Sequence, residues 1–327
     1  MNDRITRNCQ LFIENREAIK GEFPWDNAFM YPICAALYTA KGRRVKADAM
    51  RDALNLLKER VGVFSNFRSM EKLAIASMLD ISGNPEKTLN NGLKVYEMLK
   101  ESFYTSVYLP IAAMTIAQMA EPFQYEEVAR RTRRIYDRMK SNHLFLTSSE
   151  DSGFAAMLAL SEKSDDALAK DMEDCFDLLR DMSMSGNAVQ SLSHVLAISE
   201  ELPESKCGRT KELYDGLKRA GRKYGKGYEL PTLGVLALCQ GEVTSIVETM
   251  AEIDDFLSGQ KGFGTFGVGA RQRLMYAGIL AQGEFLDQAA MATAAVSSTI
   301  SIIVAQQAAM CAAVAASAAA SSAAASN

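Results

Sequence analysis

The chain has 327 residues, of which 36 are Lys or Arg and 40 are Asp or Glu, and its formal net charge is −4. This near balance lacks the basic footprint of a nucleic-acid binder, so we expect no nucleic-acid partner. With only two histidines and no C-x-x-C pair among six cysteines, the chain shows no recognisable metal-site pattern, and no metal or cofactor is predicted.

The N-terminal segment, MNDRITRNCQLFIENREAIKGEF, is charged throughout and lacks the apolar core of a signal peptide. The wide spacing of the cysteines indicates reduced, buried thiols rather than a disulfide framework. Together these features predict a cytoplasmic protein.

Charged, amphipathic segments recur along the chain at a regular interval. Four of them read KVYEMLK, RIYDRMK, DCFDLLR and ELYDGLK, and their aromatic residues, Tyr96, Tyr136, Phe176 and Tyr214, are 40, 40 and 38 residues apart. In EEVARRTRRIYDRMK the apolar residues fall on one stripe, as in a surface helix with one buried face. A fixed period of this size is typical of tandem helical repeats.

Short segments of small apolar residues lie between the charged ones: ICAALYTA, KLAIASML, PIAAMTIA, FAAMLALS, LSHVLAIS, LGVLALC and LMYAGILA. They have almost no polar face, so we predict short helices that are buried on all sides. No segment shows the alternation of a half-buried strand. The predicted fold is all-α, with αα-hairpin repeats of about 40 residues over residues 1–287. A closed α/α toroid is favoured over an open α-solenoid, whose concave helix layer would be more polar.

The stretch KGFGTFGVGA, residues 261–270, contains the spacing G-x-G-x-x-G. A dinucleotide-binding loop needs a strand before these glycines. Here the preceding segment, VTSIVETMAEIDDFLSG, has the pattern of an amphipathic helix. We therefore interpret the glycines as a joint between two helices and not as a nucleotide site.

In a toroid, the joints that lead into the short helices would gather at one rim, around the mouth of the cavity. Ser, Asn and Asp are the residue types that cap helices, and we expect capping to account for Ser149, Asp151 and Asn187. Arginines at a helix start oppose the helix dipole, which indicates an anionic ligand or a buried carboxylate partner. His194 falls within a nearly apolar segment, where a satisfied core histidine is more common than a catalytic one. The candidate ligand-binding residues are Asn66, Arg68, Tyr108, Asn187, Gln190, His194, Arg271 and Arg273.

The first functional hypothesis is a binding protein with a small anionic or peptide-like ligand at this rim. The alternative is an α/α-barrel enzyme, of hydrolase or lyase type, in which Glu150 or Asp151 acts with Glu229. Glycoside hydrolysis would need two such carboxylates about 5 to 10 Å apart. The sequence alone leaves open whether the protein is an enzyme.

The C-terminal segment, residues 288–327, contains no charged residue and is rich in alanine, which favours a helix. Its larger residues recur at steps of four and three, as in a heptad seam: Val296, Ile300, Ile303, Gln307, Met310 and Val314. Three interpretations remain open: a helix that closes the repeat domain or plugs its cavity, self-association through residues 296–317 in an assembly protein, and a membrane span. The absence of flanking Lys or Arg anchors and the central Gln306–Gln307 argue against the span.

Several motifs together resemble an uncharacterised bacterial family that is known only as a domain of unknown function. They are GVFSNFR, FLTSSED, GNAVQSLSH, LPTLGVLAL, QKGFG, QRLM and AQQAAMCAAVAASAAAS, and they extend over nearly the whole chain. The resemblance implies a helical, cytoplasmic bacterial protein whose alanine-rich tail is native. It implies no activity, substrate or catalytic residue.

Overall fold

A computed structural model describes residues 1–239, 241–264 and 267–285 of the chain. Within these ranges the regular secondary structure is entirely helical, and no strand is formed. The predicted all-α fold is therefore confirmed. The predicted C-terminal helix, residues 288–327, lies outside the described residues.

The helices alternate in length along the chain. They are α1 (Asp3–Glu22), α2 (Met30–Ala40), α3 (Ala47–Arg60), α4 (Lys72–Ile81), α5 (Pro85–Lys100), α6 (Leu109–Met119), α7 (Tyr125–Asn142), α8 (Ser152–Ala159), α9 (Asp165–Leu179), α10 (Gly186–Leu196), α11 (Pro203–Arg219), α12 (Leu230–Leu238), α13 (Val243–Ser258) and α14 (Ala270–Phe285). The odd-numbered helices carry the charged, amphipathic sequences, and the even-numbered helices from α2 to α12 carry the short apolar ones. This order of elements agrees with the pattern of the sequence.

The two kinds of helix differ in what they bury. In α7, Val128, Ile135 and Met139 lie on one buried stripe, and charged residues cover the rest of its surface. In α8 every residue is buried, and the same is true of α12. A helix without a polar face lowers its free energy only when other helices surround it, so the short helices form the inside of the fold.

The chain divides into two compact units. Among the described residues, unit 1 comprises residues 1–10 and 163–285 and contains α9 to α14, and unit 2 comprises residues 11–162 and contains α2 to α8. In unit 2 the short helices contact one another in the order α2, α4, α6, α8, and the long helices α3, α5 and α7 form a second layer. Unit 1 has the same two layers, with α10, α12 and α14 in one and α9, α11 and α13 in the other.

The glycine-rich stretch joins α13 to α14, as the sequence indicates. The Gly262 backbone has φ 85°, and its carbonyl oxygen accepts a hydrogen bond from the Val268 amide at 2.8 Å. A Cβ on Gly267 would lie 2.2 Å from that oxygen. These glycines are therefore required by a tight backbone crossing between two helices.

Close packing inside the short-helix layer can be tested at Gly234 of α12. A Cβ there would lie 2.6 Å from Leu192 Cδ1 of α10. We expect Gly234→Ala to lower the free energy of unfolding by about 1 kcal/mol, because overpacking of about 1–3 kcal/mol exceeds the gain in helix propensity of roughly 1 kcal/mol.

Gly208→Ala in α11 is the matched control, because no atom lies within 4 Å of the added methyl group. It should raise the free energy of unfolding by up to about 1 kcal/mol. Urea denaturation of both variants measures the difference, and equal effects would contradict the tight contact between α10 and α12.

Candidate functional site

The four joints of unit 2 that lead into short helices each expose one large aromatic side chain. The joints precede α2, α4, α6 and α8, and the exposed fractions are 97% for Trp25, 101% for Phe64, 99% for Tyr104 and 96% for Phe145. We call these four residues the aromatic row. Because the four short helices contact one another in order, the joints at their N-termini follow one edge of unit 2.

Buried rings anchor the backbone beside the exposed ones. Phe67 is fully buried, and its ring packs edge-on against Tyr96 with centroids 5.0 Å apart. Phe103 is buried next to Tyr104 and packs in the same way against Tyr136 at 5.1 Å. Edge-to-face packing of this kind stabilises a fixed loop position. At these two joints the row is therefore carried on anchored backbone.

The opposite edge of unit 2 differs. Among the described residues of that edge, the joints that lead out of the short helices expose one large apolar side chain, Phe123, which is 84% exposed. Single exposed apolar residues are normal, whereas a contiguous set marks an interaction surface. At about 150–250 Å² per ring, the row offers roughly 600–1,000 Å², similar to the ~800 Å² that one partner contributes to a stable interface.

Acidic and phenolic groups lie at the starts of the short helices of unit 2. Glu71, Tyr108 and Asp151 occupy the position immediately before α4, α6 and α8. Glu71 is completely buried, its Oε2 accepts a hydrogen bond from the Ser69 hydroxyl, and its Oε1 has no hydrogen-bond partner within the described residues. Burial raises the pKa of Glu71 above its ordinary value.

Asp151 is also buried, and its Oδ2 accepts a hydrogen bond from the Ser148 amide at 2.8 Å in a capping box. Burial raises the pKa of Asp151 to about 7, and the neighbouring Glu150 carboxylate adds to the rise. The pKa of Tyr108 is raised by burial and then by the charges of Glu150 and Glu71. The Tyr108 hydroxyl therefore lies within electrostatic range of two carboxyl groups.

The remaining candidates of unit 2 lie in the joint before α4. Asn66 donates a hydrogen bond from Nδ2 to the Tyr96 hydroxyl at 3.4 Å, and Arg68 is half-buried in the same 3-10 turn, Asn66–Arg68. This turn contacts α6, which begins directly after Tyr108. Unit 2 thus brings Asn66, Arg68, Tyr108, Glu150 and Asp151 to the joints before its short helices.

The candidates of unit 1 lie on different elements. Gln190 and His194 are buried inside α10. The residue that caps α10 is Ser185, whose hydroxyl accepts the Ala188 amide at 3.3 Å, and Asn187 lies inside the first turn. The prediction that Asn187 caps this helix is therefore wrong, because the Ser185 hydroxyl occupies the capping position.

Glu229 is buried before α12 and accepts the Gly227 amide at 3.2 Å. Because it belongs to unit 1, whereas Glu150 and Asp151 belong to unit 2, the predicted pairing of these carboxylates stays a prediction. Arg271 is exposed at the start of α14. Burial raises the pKa of Tyr228, and the positive charge of Arg271 opposes this rise.

Arg273 has a partner inside the protein. Its Nε lies 2.6 Å from Oδ1 of Asp254, a buried carboxylate of α13, and its Nη1 donates to the Phe263 carbonyl at 3.2 Å. Asp254 also binds Arg222 at 2.8 Å. The prediction allowed either an anionic ligand or a buried carboxylate for this arginine, and the structure supplies the carboxylate.

Sequence reasoning missed Glu71 and the aromatic row. Glu71 stands in the same joint as the candidates Asn66 and Arg68, but nothing in the sequence distinguishes it from a surface glutamate. The row did leave a signal in the sequence. The segments PWD, VFS, FYT and LFL place bulky apolar residues between predicted helices, at intervals close to the repeat length of about 40 residues. Apolar residues at such positions are expected to be exposed and can indicate an interface.

Two further features, a metal site and a membrane-spanning helix, can be assessed within the described ranges. No three His, Cys, Asp or Glu side chains lie together there in a group that could hold a metal ion. None of the helices in those ranges combines the length and the apolar character that crossing a bilayer requires. The fold and the joints thus define an all-helical protein with two-layered units and one exposed aromatic edge.

The chain belongs to the family described as "protein of unknown function (DUF4003)", whose model matches residues 15–309. It is 26% identical over 269 residues to the uncharacterized protein YeaA of Bacillus subtilis strain 168, and the match covers 80% of each chain. No solved structure matches the chain. The predicted resemblance to a bacterial family of unknown function is therefore confirmed.

The raised pKa of Asp151 predicts a pH-dependent stability. Because the pKa of about 7 in the folded state exceeds about 3.9 in an unfolded chain, folding favours the protonated carboxyl group. This contribution is complete below about pH 4 and is lost as the pH rises through 7. Asp151→Asn keeps an oxygen for the Ser148 amide but removes the buried charge.

We expect the Asp151→Asn variant to match the wild type near pH 4 and to exceed its free energy of unfolding by on the order of 1–3 kcal/mol at pH 8. Guanidinium unfolding at a series of pH values measures this difference. A difference that is constant with pH would show that Asp151 is not protonated on folding.

Proposed function

We propose that the protein is a helical-repeat binding protein whose αα-hairpins close into a toroid, and that it binds a peptide-like partner along the aromatic row. The proposed partner is the uncharged C-terminal segment of a second copy of the chain. The protein would then assemble in the cytoplasm through its own tail. The observation that supports this proposal best is the exposure of one aromatic ring before each of four consecutive short helices.

The chemistry around the row fits an uncharged apolar partner. At its first two joints, the Asp26 carboxylate lies 2.6 Å from the Lys72 ammonium, so these two charges compensate each other. A partner that covers the rings gains roughly 25 cal/mol for each Å² of apolar surface removed from water. A charged partner would lose hydration here without gaining an opposite charge from this pair.

The segment of residues 296–314 has the length and the residues that such a surface needs. Side-by-side helices are about 8–10 Å apart, so three steps from Trp25 to Phe145 span roughly 24–30 Å. If the segment is helical, as its alanine content favours, residues 296–314 extend about 27 Å. The steps of four and three place one apolar stripe along that length.

Trp25 is the only tryptophan of the chain and lies in the row, so its fluorescence reports on the surface directly. With increasing concentration of the full chain, we expect a blue shift of its emission together with a rise in molar mass by light scattering. The triple variant Phe64→Ser, Tyr104→Ser and Phe145→Ser retains Trp25. It should weaken self-association at least tenfold, since removal of three rings forfeits more than ~1.4 kcal/mol.

Phe123→Ser is the matched control, because Phe123 is an exposed aromatic residue on the opposite edge of unit 2. It should leave both signals unchanged. A wild type that stays monomeric, or a triple variant that associates as the wild type does, would refute the proposal. A monomer whose melting temperature falls in the triple variant would instead assign the surface to an intramolecular contact.

An acid–base enzyme is the second candidate, and the group around Tyr108 favours it. The Asp151 carboxyl, with a pKa of about 7, and the neighbouring Glu150 differ in burial, which is the arrangement that separates an acid from a base. If the group is catalytic, the wild type should hydrolyse members of a panel of aryl glycosides, and Glu150→Gln should reduce kcat at least a hundredfold. An inactive wild type would count against this candidate for glycosides.

A further inference from the structure

Two cysteines of unit 1 lie next to each other on neighbouring long helices. Cys175 lies in α9 and Cys207 in α11, and both are buried. The Cys207 thiol donates a weak hydrogen bond to the Cys175 carbonyl oxygen, with Sγ 3.9 Å from that oxygen. They are 32 positions apart in the sequence, so only the packing of α9 against α11 brings them together.

Charged groups surround this pair of thiols. Cys175 Sγ lies 3.4 Å from Oδ1 of Asp171. The other oxygen of Asp171 accepts the fully buried Lys206 ammonium at 2.7 Å and the Lys163 ammonium at 2.5 Å. Lys206 is the residue directly before Cys207, and its positive charge lowers the pKa of that thiol.

The electrostatics distinguish the two sulfurs. The neighbouring Cys175 thiol and the Lys206 charge lower the pKa of Cys207, whereas the neighbouring Cys207 sulfur and burial raise the pKa of Cys175, whose thiol donates to the Asp171 carboxylate. A thiolate beside a cation is the reactive form of cysteine. By contrast, burial raises the pKa of Cys34 and Cys239 to about 12.

We propose that Cys175 and Cys207 form a redox-active dithiol that a peroxide oxidises to a disulfide. The Cys207 thiolate attacks one oxygen of hydrogen peroxide, the O–O bond breaks, and hydroxide leaves and takes up a proton to become water. The Cys175 sulfur then attacks the sulfur of the Cys207 sulfenic acid, an S–S bond forms, and the hydroxyl group leaves as water with the Cys175 proton. Two thiols lose two electrons, and one peroxide becomes two waters.

The product links α9 to α11, which are neighbours in the long-helix layer. It closes a loop of the chain that contains α10, a short helix of the buried layer. A closed loop restricts the unfolded chain, so oxidation should raise the melting temperature of the folded protein. A thiol reductant would reverse both the bond and the shift.

The test treats the full-length reduced protein with hydrogen peroxide, blocks free thiols with an alkylating agent in denaturant, and maps the peptides by mass spectrometry. We expect a linked pair of peptides that contain Cys175 and Cys207, and alkylated Cys34 and Cys239. Absence of that pair, or preferential oxidation of the control cysteines, would overturn the proposal. This outcome is read from the wild type and does not depend on a variant that folds.

Two variants identify the sulfur that is attacked first. In Cys175→Ser the reaction should stop at the sulfenic acid of Cys207, which dimedone labels, whereas Cys207→Ser should show no label at position 175. Cys239→Ser, which removes a buried cysteine of the same unit, should still form the disulfide. Dimedone labelling of both single variants, or loss of the disulfide in Cys239→Ser, would contradict the assigned order of steps.

Discussion

The burial of the short helices is the constraint on which the rest of the structure depends. Helices such as α8 and α12 have no polar side and are stable only when other helices cover them on all sides. The amphipathic long helices form the layer that covers them within each unit. Because the short helices pack in order, the joints at their N-termini line up, and side chains far apart in sequence come to one edge.

Much of this organisation could be predicted from residue patterns. The stripe of Val128, Ile135 and Met139 identified a long surface helix, and the near absence of polar residues from FAAMLALS identified a buried short one. The helix before Lys261 was predicted correctly, and it stands where a dinucleotide-binding loop would need a strand. Periodicity is a local property, and local patterns determine the type and order of helices.

Contacts between helices were not predictable in the same way. Whether Arg273 meets an external anion or Asp254, and whether Cys175 meets Cys207, depends on how one helix is placed against the next. Single sequences do not contain that information. In the sequence Glu71 looks like an ordinary surface residue, because its burial results only from the packing of the helices around it. The sites therefore depend on contacts between helices, which the local pattern that predicts the fold does not specify.

The central claim, that Phe64, Tyr104 and Phe145 lie in order along one edge, can be measured as a pair of distances. Nitroxide labels on cysteines placed at 64 and 104, or at 64 and 145, in a chain without its native cysteines, would be compared by double electron–electron resonance. Side-by-side packing of α4, α6 and α8 predicts that the 64–145 distance exceeds the 64–104 distance by roughly 8–10 Å. Equal distances, or a shorter 64–145 distance, would contradict the account.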